Sequence, residues 1–596
     1  MYQENKYKYK ILDLLSLGDF DLHLGQRRYT WSEELVKKLL EDIDKLDKSN
    51  EHPIGTIEVR EYKNKYGITI RSLIDGQQRS SVLLLIISEI ASKMEFFQNV
   101  GKIDEEIERY KNYKEMLEQL MYSRRFGNYC YKRSYKLNIY KNDQPIFRKL
   151  LFNEQIKDSE IKTVSHEKLI NAKKLIAEYL KKFDGEELIL FMYKLLNQIT
   201  VIMYSSPKEE DPYESFRRKN ANKETLDESD HVRNIIFKEI DDGTNESYEI
   251  MNLWEEMVNK LTPSKIESKD LMTKINTNNF LKYYIMSKGK YVNKSGIPKY
   301  FENLKMDCNE MKNLVKELDK KATKYIEFLK GIGNKSISDI KKLRVTQTTI
   351  VLISAIKLSE NDINEISELL EKISFCSAMG EIKPNKLERF FTEVAGLIEN
   401  NKINSAKEKL KSLIEESKEA VVNTILNKSF TTAYEKKKVK YILNKIATAL
   451  DGGDYSAWDL EHIMLEKRDF VAWAECSQYR WFKDESLYNN LIGKIGNMTL
   501  LTRSDNVALK KKSYNDKCEV YKKISCRLTS SIAGELSTGT RQTRFDRILN
   551  VSKYIPSDEW GKDEINNRGI WLTNLINYIW FDVEDINDMQ YIEKSF

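Results

Sequence analysis

Eight prolines and twenty-three glycines are all that interrupt 596 residues. Little in such a chain stops a helix once it has started, so long helices with short connections are expected. One hydrophobic core cannot serve this length, and two to four domains are expected. An apolar fraction of 41% suffices to build those cores. The net charge is only +6, so any nucleic-acid surface must be a local patch. Six cysteines, at 130, 308, 376, 476, 518 and 526, include no C-x-x-C pair, which fits free thiols in a reducing cytosol. The opening residues Met1 to Lys6 have no apolar leader core, and the longest apolar run, Val82 to Ile87, is far too short to span a bilayer. A cytoplasmic protein with no membrane association is expected.

The first hundred residues depart from helicity. Ile54 to Val59 alternates as a strand does, and so does Tyr66 to Ile70, which runs on towards Leu73 and Ile74. Asp75-Gly76 ends that strand, and Arg79 to Ser92 reads as an apolar helix. Asp104 to about Lys260 reads as mostly helical. The stretch from about 265 to 425 reads as a helical connector, with a buried helix over Thr349 to Leu358. A cap at Ser359-Glu360-Asn361-Asp362 then opens a helix carrying Ile363, Ile366, Leu369, Leu370 and Ile373 on one face. A third segment starts near Thr431.

Two places carry chemistry. In the N-terminal part, Gly25-Gln26-Arg27-Arg28-Tyr29-Thr30-Trp31 precedes an expected helix from Glu33 to Leu46. It is answered by Ile74-Asp75-Gly76-Gln77-Gln78-Arg79, a strand that passes through a glycine turn into a helix start. Backbone N–H groups at a helix N-terminus favour phosphate oxygens, and Arg79 can add a bidentate contact. Asp75 can hold a divalent cation or orient a water. Gln77 and Gln78 offer neutral donors and acceptors to a base, a sugar or a phosphate. The bland alternative is a strand-to-helix turn whose Asp and Arg form a local ion pair.

Near the C-terminal end, Leu460-Glu461-His462-Ile463 is answered by Ile495-Gly496-Asn497-Met498-Thr499-Leu500-Leu501 and then Asn506, a spacing that recurs in HNH-type nucleases. His462 is one of only five histidines. A neutral imidazole titrates near working pH and can take a proton from water beside a scissile phosphate. Glu461 can offer an oxygen to Mg²⁺ or another divalent cation, and Asn506, at the start of the following helix, a second ligand. Asn497 would pin the loop that bears His462. Lysines follow, among them Lys510 and Lys517, suited to phosphate contacts along DNA. Taken singly, most of them fit a solvated helix face equally well.

Both regions resemble one family. Gln26-Arg27-x-Tyr29-x-Trp31, Ile54-Gly55-Thr56-Ile57 and Ile74 to Arg79 are similar to the N-terminal domain of GmrSD-type modification-dependent (Type IV) restriction proteins. Phe216-x-x-x-Asn220, Leu226, Asp230 and Arg233-Asn234 continue the likeness. Glu461-His462-Ile463-Met464, Ile495 to Leu501, Asn506-x-x-Leu509 and Tyr514-x-x-Lys517 resemble the family's HNH-like nuclease domain, with Ile565-x-x-Arg568 and Trp580 as its closing helix. The resemblance implies a ParB/sulfiredoxin-like fold in the first domain, with nucleotide binding and hydrolysis. Gln26, Arg27, Asp75, Gly76, Gln77, Gln78 and Arg79 would form the nucleotide site, supported by Asn220 and Asp230. Gly25 stands where an aromatic residue is common, and Arg28 where proline is. Leu465, Lys511 and Ser513 replace a proline, an asparagine and a proline.

The expected architecture is α+β and predominantly helical. Residues 1–260 form a ParB/sulfiredoxin-like domain with a helical extension, 261–425 a helical connector, and 426–596 a ββα-metal (HNH-like) nuclease domain. The expected activity is nucleotide-regulated, divalent-metal-dependent cutting of foreign DNA, with a nucleoside triphosphate as regulator and modified phage DNA as target. Catalysis would fall to His462 and Asn497 in the nuclease and to Asp75 and Arg79 in the NTPase, with Glu461 and Asn506 on the metal and Lys510 and Lys517 on DNA. A homodimer would ease paired strand breaks. A binding sensor with an inactive nuclease domain, and an infection-activated RNase, are the other readings.

Overall fold

The computed structural model describes residues 6–22, 28–47, 50–63, 69–127, 130–139, 142–206, 227–240, 244–262, 275–380, 382–464, 485–510, 512–534 and 556–583. The chain divides into two compact units, Met1–Lys282 with Val292–Ile326, and Tyr283–Tyr291 with Glu327–Phe596. It is predominantly helical with a small mixed sheet, the α+β class expected. No helix among the described residues is long and apolar enough to cross a membrane.

The first unit is built on five strands in the order β1-β7-β3-β4-β2. They are β1 (Lys6–Lys10), β2 (Phe20–Leu22), β3 (His52–Lys63), β4 (Thr69–Asp75) and β7 (Ile199–Ser205), while β5 (Tyr122–Gly127) and β6 (Cys130–Tyr135) form a separate hairpin. β3 runs antiparallel to β4 and parallel to β7, which makes it the centre of the sheet. Helix α1 (Gln77–Val100) follows β4 directly. Its residues from Val82 to Ile87 are all buried, so it is a core helix rather than a one-faced one. The stretch from Asp104 to about Lys260, expected to be mostly helical, also contains the β5–β6 hairpin and β7. The β-branched run Ile199-Thr200-Val201-Ile202 of β7 carries strand propensity, and the sheet supplies pairing on both sides. Beyond it lie α2 (Glu228–Ile240) and α3 (Asn245–Lys260).

In the second unit, α4 (Lys335–Leu343) and the fully buried helix Thr349–Ala355 lead to α5 (Glu360–Gly380). The Ser359 hydroxyl accepts the Asp362 N–H at 3.2 Å, the cap expected there, and Ile366, Leu370 and Ile373 are fully buried below it. Then come α6 (Ile403–Asn427) and α7 (Ala433–Asp451), the latter opened by a Thr432/Glu435 capping box. Of the stretch expected to be a connector, Tyr283–Tyr291 and the residues from Glu327 onward belong to this unit, and the rest to the first. Tyr441 of α7 and Trp580 of α10 (Lys562–Phe581) both donate to the Glu371 carboxylate on α5, and Trp580 stacks on Phe375 with centroids 4.2 Å apart. β8 (Asp459–His462) and β9 (Met498–Leu501) form a two-stranded antiparallel sheet, followed by α8 (Arg503–Leu509) and α9 (Tyr514–Tyr521).

Candidate active site

Side chains alternate along β8, so Leu460 and His462 share one face and Glu461 looks the other way. Opposite them on β9, His462 pairs with Met498 and Glu461 with Thr499. The Glu461 side chain enters the core, where its carboxylate accepts Lys517 Nζ at 2.5 Å and the Tyr521 hydroxyl at 3.3 Å. Lys517 is fully buried, and its ammonium also donates to the carbonyls of His462 at 2.8 Å and Ile463 at 3.0 Å. Burial pushes the Glu461 carboxyl up and the Lys517 ammonium down, and their mutual attraction opposes both shifts.

This geometry corrects two expectations. Lys517 does not reach DNA, because no part of it is at the surface. Glu461 is not a free oxygen ligand, because Lys517 and Tyr521 occupy it on the face away from His462.

The loop after His462 is tied from its other side. Asn497 is fully buried. Its Oδ1 accepts the Met464 N–H at 2.7 Å and Trp560 Nε1 at 3.1 Å, and its Nδ2 donates to the carbonyls of Met464 at 3.2 Å and Ile492 at 3.1 Å. The Asn497 carbonyl accepts the Ile463 N–H at 2.9 Å. Asn497 therefore positions the loop rather than meeting a substrate. Gly496 is required beside it, since a Cβ there would sit 1.9 Å from the Ile565 carbonyl of α10. From the same helix, buried Arg568 donates to the carbonyls of Gly496 at 2.8 Å and Met498 at 2.7 Å.

Asn506 lies inside α8, which starts three residues earlier at Arg503 under a Thr502 cap, not at its start as expected. Its Nδ2 donates to the Leu460 carbonyl at 3.1 Å, two residues before His462. That leaves Oδ1 as the end able to face a ligand. Among the described residues no group of three or more His, Cys, Asp or Glu side chains is arranged to hold a metal. Asn506 fits a cation only as one oxygen in a shell completed by water and phosphate, and Glu461 as placed does not fit. Lys510, just past α8, is exposed, while His462 is half-buried. The sequence reading missed Trp560, whose ring stacks on Tyr514 with centroids 5.3 Å apart.

In the first unit, Asp75 ends β4 and accepts the Gly76 N–H at 2.8 Å. Gly76 has φ +104°, and a Cβ would meet Ile57 Cγ1 at 2.8 Å, so both the turn and the packing demand glycine. Gln77 and Gln78 open α1. Gln77 is buried, and its Oε1 has no hydrogen-bond partner among the described residues. Gln78 accepts the Thr30 N–H at 2.7 Å and donates to the Arg28 carbonyl at 2.8 Å. Both ends of its carboxamide hold the neighbouring loop, which corrects its expected role as a direct nucleotide ligand.

Arg79 lies over Gly55 and donates to the Thr56 carbonyl at 2.9 Å. Burial lowers its pKa while Asp75 opposes the shift. Arg28, where the family tends to have proline, is anchored by Glu255 at 3.3 Å and by Asn259, both on α3. Glu255 also holds Arg233 of α2 at 2.9 Å. Asp230 lies in the first turn of α2 and exchanges capping bonds with Asp227. Gln26, Arg27 and Asn220 lie outside the described residues.

Glu58 was not anticipated. It is buried, stands opposite Asp75 in the β3–β4 register, and accepts the Ser206 hydroxyl. The signal was its place on a strand beside the Asp75 turn.

Two family models match. Residues 11–237 match the N-terminal domain of the GmrSD restriction endonuclease, and residues 404–575 match the C-terminal domain of the GmrSD restriction endonucleases. The chain belongs to this family and carries both of its domains in a single polypeptide. DNA is accordingly its partner. No curated protein matches it.

Proposed function

We propose that this restriction endonuclease cuts DNA by HNH-type chemistry at His462, under control of a nucleoside triphosphate bound at the Asp75–Arg79 turn. The observation that carries the nuclease reading is the way the backbone around His462 is tied. Asn506 holds Leu460, Lys517 holds the carbonyls of His462 and Ile463, and Asn497 holds Ile463 and Met464. A histidine fixed at this many points, with its imidazole half-exposed, suits a general base.

His462 takes a proton from water as the water oxygen attacks phosphorus, and the P–O bond to the leaving oxygen breaks. A divalent cation, when bound, would neutralise charge on the phosphate and the leaving oxygen, with Asn506 Oδ1 as its ligand from this chain. Exposed Lys510 would meet the DNA backbone outside the hairpin.

In the first domain, the N–H groups opening α1 and the Arg79 guanidinium would receive the phosphates of the nucleotide. Asp75 would orient the attacking water for hydrolysis. Foreign DNA with modified bases is the target, met in the cytoplasm, and two copies of the chain would place two histidines for a double-strand break.

The test is cleavage of plasmid and of modified phage DNA with Mg²⁺ and each nucleotide, beside total RNA. Loss of cutting in His462→Ala and on chelation supports the reading. Intact Mg²⁺-dependent cutting in that variant removes the base assignment. Nucleotide turnover unchanged in both Asp75→Ala and Arg79→Ala would discard the first site.

A further inference from the structure

With Lys517 buried, the second unit needs another cationic surface if it holds DNA. One lies where α4 and α7 pack together. The α7 sequence opens Ala433-Tyr434-Glu435-Lys436-Lys437-Lys438-Val439-Lys440. Tyr434, in the first turn of α7, is 43% exposed. The Arg344 guanidinium lies 5.4 Å from the ring centroid and the Lys438 ammonium 4.7 Å. Arg344 is exposed and caps α4 with φ +62°, a position that favours glycine. Lys341 and Lys437 are exposed as well.

Three carboxylates lie near this charge, and only Asp459, 3.9 Å from Lys440, faces one of its members. Asp339 is buried, facing Lys342 at 2.7 Å and Lys445 at 2.9 Å, and Glu435 is occupied by its helix cap and by Lys428 at 3.3 Å.

The surface joins the histidine hairpin directly. Lys440 lies 3.9 Å from Asp459, the first residue of β8, and α7 packs on both β8 and β9. Three strand steps separate Asp459 from His462, about 10 Å at ~3.3 Å per residue. That is about three nucleotide rises of ~3.4 Å along one DNA strand.

We propose that Lys341 and Arg344 at the end of α4 and Lys437 and Lys440 on the first turns of α7 grip the sugar–phosphate backbone of DNA a few nucleotides from the bond cut at His462. The proposal rests on the nuclease reading above and adds where the substrate lies. It also gives α4, from the stretch that reads in sequence as a connector, a part in binding.

The experiment uses the full chain with His462→Ala, so that DNA is bound but not cut, and follows fluorescence anisotropy of a labelled duplex across a salt series. Adding Arg344→Ala, Lys437→Ala and Lys440→Ala is expected to weaken binding by about tenfold or more at ~150 mM salt and to flatten the log–log salt slope by about 2–3. Thermal unfolding should be unchanged. Lys437→Glu alone, at an exposed position, repeats the test should the triple variant unfold.

Affinity within about twofold of the parent with the same slope overturns the surface and leaves the nuclease reading standing. A parent with no salt-dependent affinity for duplex DNA overturns both. Tighter binding to RNA than to DNA, lost in the triple variant, overturns the DNA assignment.

Discussion

Around His462 the backbone is held by buried polar groups. A fully buried lysine, a nearly buried glutamate and a fully buried asparagine meet main-chain atoms or one another at distances from 2.5 to 3.2 Å. Around Asp75 the contacts made by the turn itself are neutral and nearer the surface, although Arg28 of the facing loop is also held by Glu255. A glycine at φ +104° makes the turn, and the half-buried carboxamide of Gln78 clamps the facing loop at Arg28 and Thr30. A buried charge without its partner is costly, so the first arrangement is close to all-or-none. A neutral clamp at the surface can open and close at little cost. The difference suits the two proposed roles, a base that must stand still and a turn that must admit and release a ligand.

The sharpest way to test the rigid half is to remove its reactive group. His462→Ala should reduce cleavage by about 10²–10⁴-fold, the usual worth of a general base, with unfolding unchanged because the imidazole is only half-buried. Supercoiled-plasmid nicking measures it. A loss no larger than tenfold would place the base elsewhere.

Next in size is the charge pair itself. Lys517→Met should cost about 3–5 kcal/mol, since it strands the Glu461 carboxylate in the core. The pH sign follows from Glu461. Burial already raises its folded pKa, and losing Lys517 removes the cation that opposes this. A raised folded pKa stabilises the protonated form at low pH, and that benefit is lost as pH rises through it. The deficit of Lys517→Met relative to the parent should therefore shrink from pH 8 to pH 5 in urea unfolding. A deficit constant across that range would mean that Glu461 is not the group left behind.

The same contrast explains what could be read from the chain alone. Helix caps, glycine turns and apolar faces are local, so the Ser359 cap, the Asp75-Gly76 stop and the apolar face of α5 were all visible. His462, Asn497 and Asn506 were picked out by spacing, and the fold brings all three to the hairpin. The Glu461–Lys517 pair was not legible, because its partners are 56 residues apart and nothing local distinguishes a buried lysine from a solvated one. Strand alternation alone would have warned that Glu461 and His462 face opposite ways. β7 was lost for a related reason. It is a seven-residue strand inside a long helical stretch, and its partners β1 and β3 lie far back in the chain.

At the Asp75 turn, Gly76→Ala should cost about 1–3 kcal/mol, because an L side chain is strained at φ +104° and its Cβ would press on Ile57. Nucleotide turnover should fall with it. A variant as stable as the parent would show that the turn is not held in this conformation in solution.

The smallest expected effect tells most about the clamp. Gln78→Ala removes the acceptor for the Thr30 N–H and the donor to the Arg28 carbonyl, with a cost of about 1–2 kcal/mol. Arg28 keeps its hold on Glu255 and Asn259, so the loop should loosen at Thr30 without leaving the protein. Faster amide exchange at Thr30 is then expected, with nucleotide KM raised and kcat nearly unchanged. If Gln78 touched the nucleotide directly, the exchange at Thr30 would instead be slowed by ligand in the parent and the variant alike, and kcat would fall together with affinity. Loop exchange unmoved by the substitution would mean that Arg28 alone fixes this segment, and that the neutral clamp adds nothing to it.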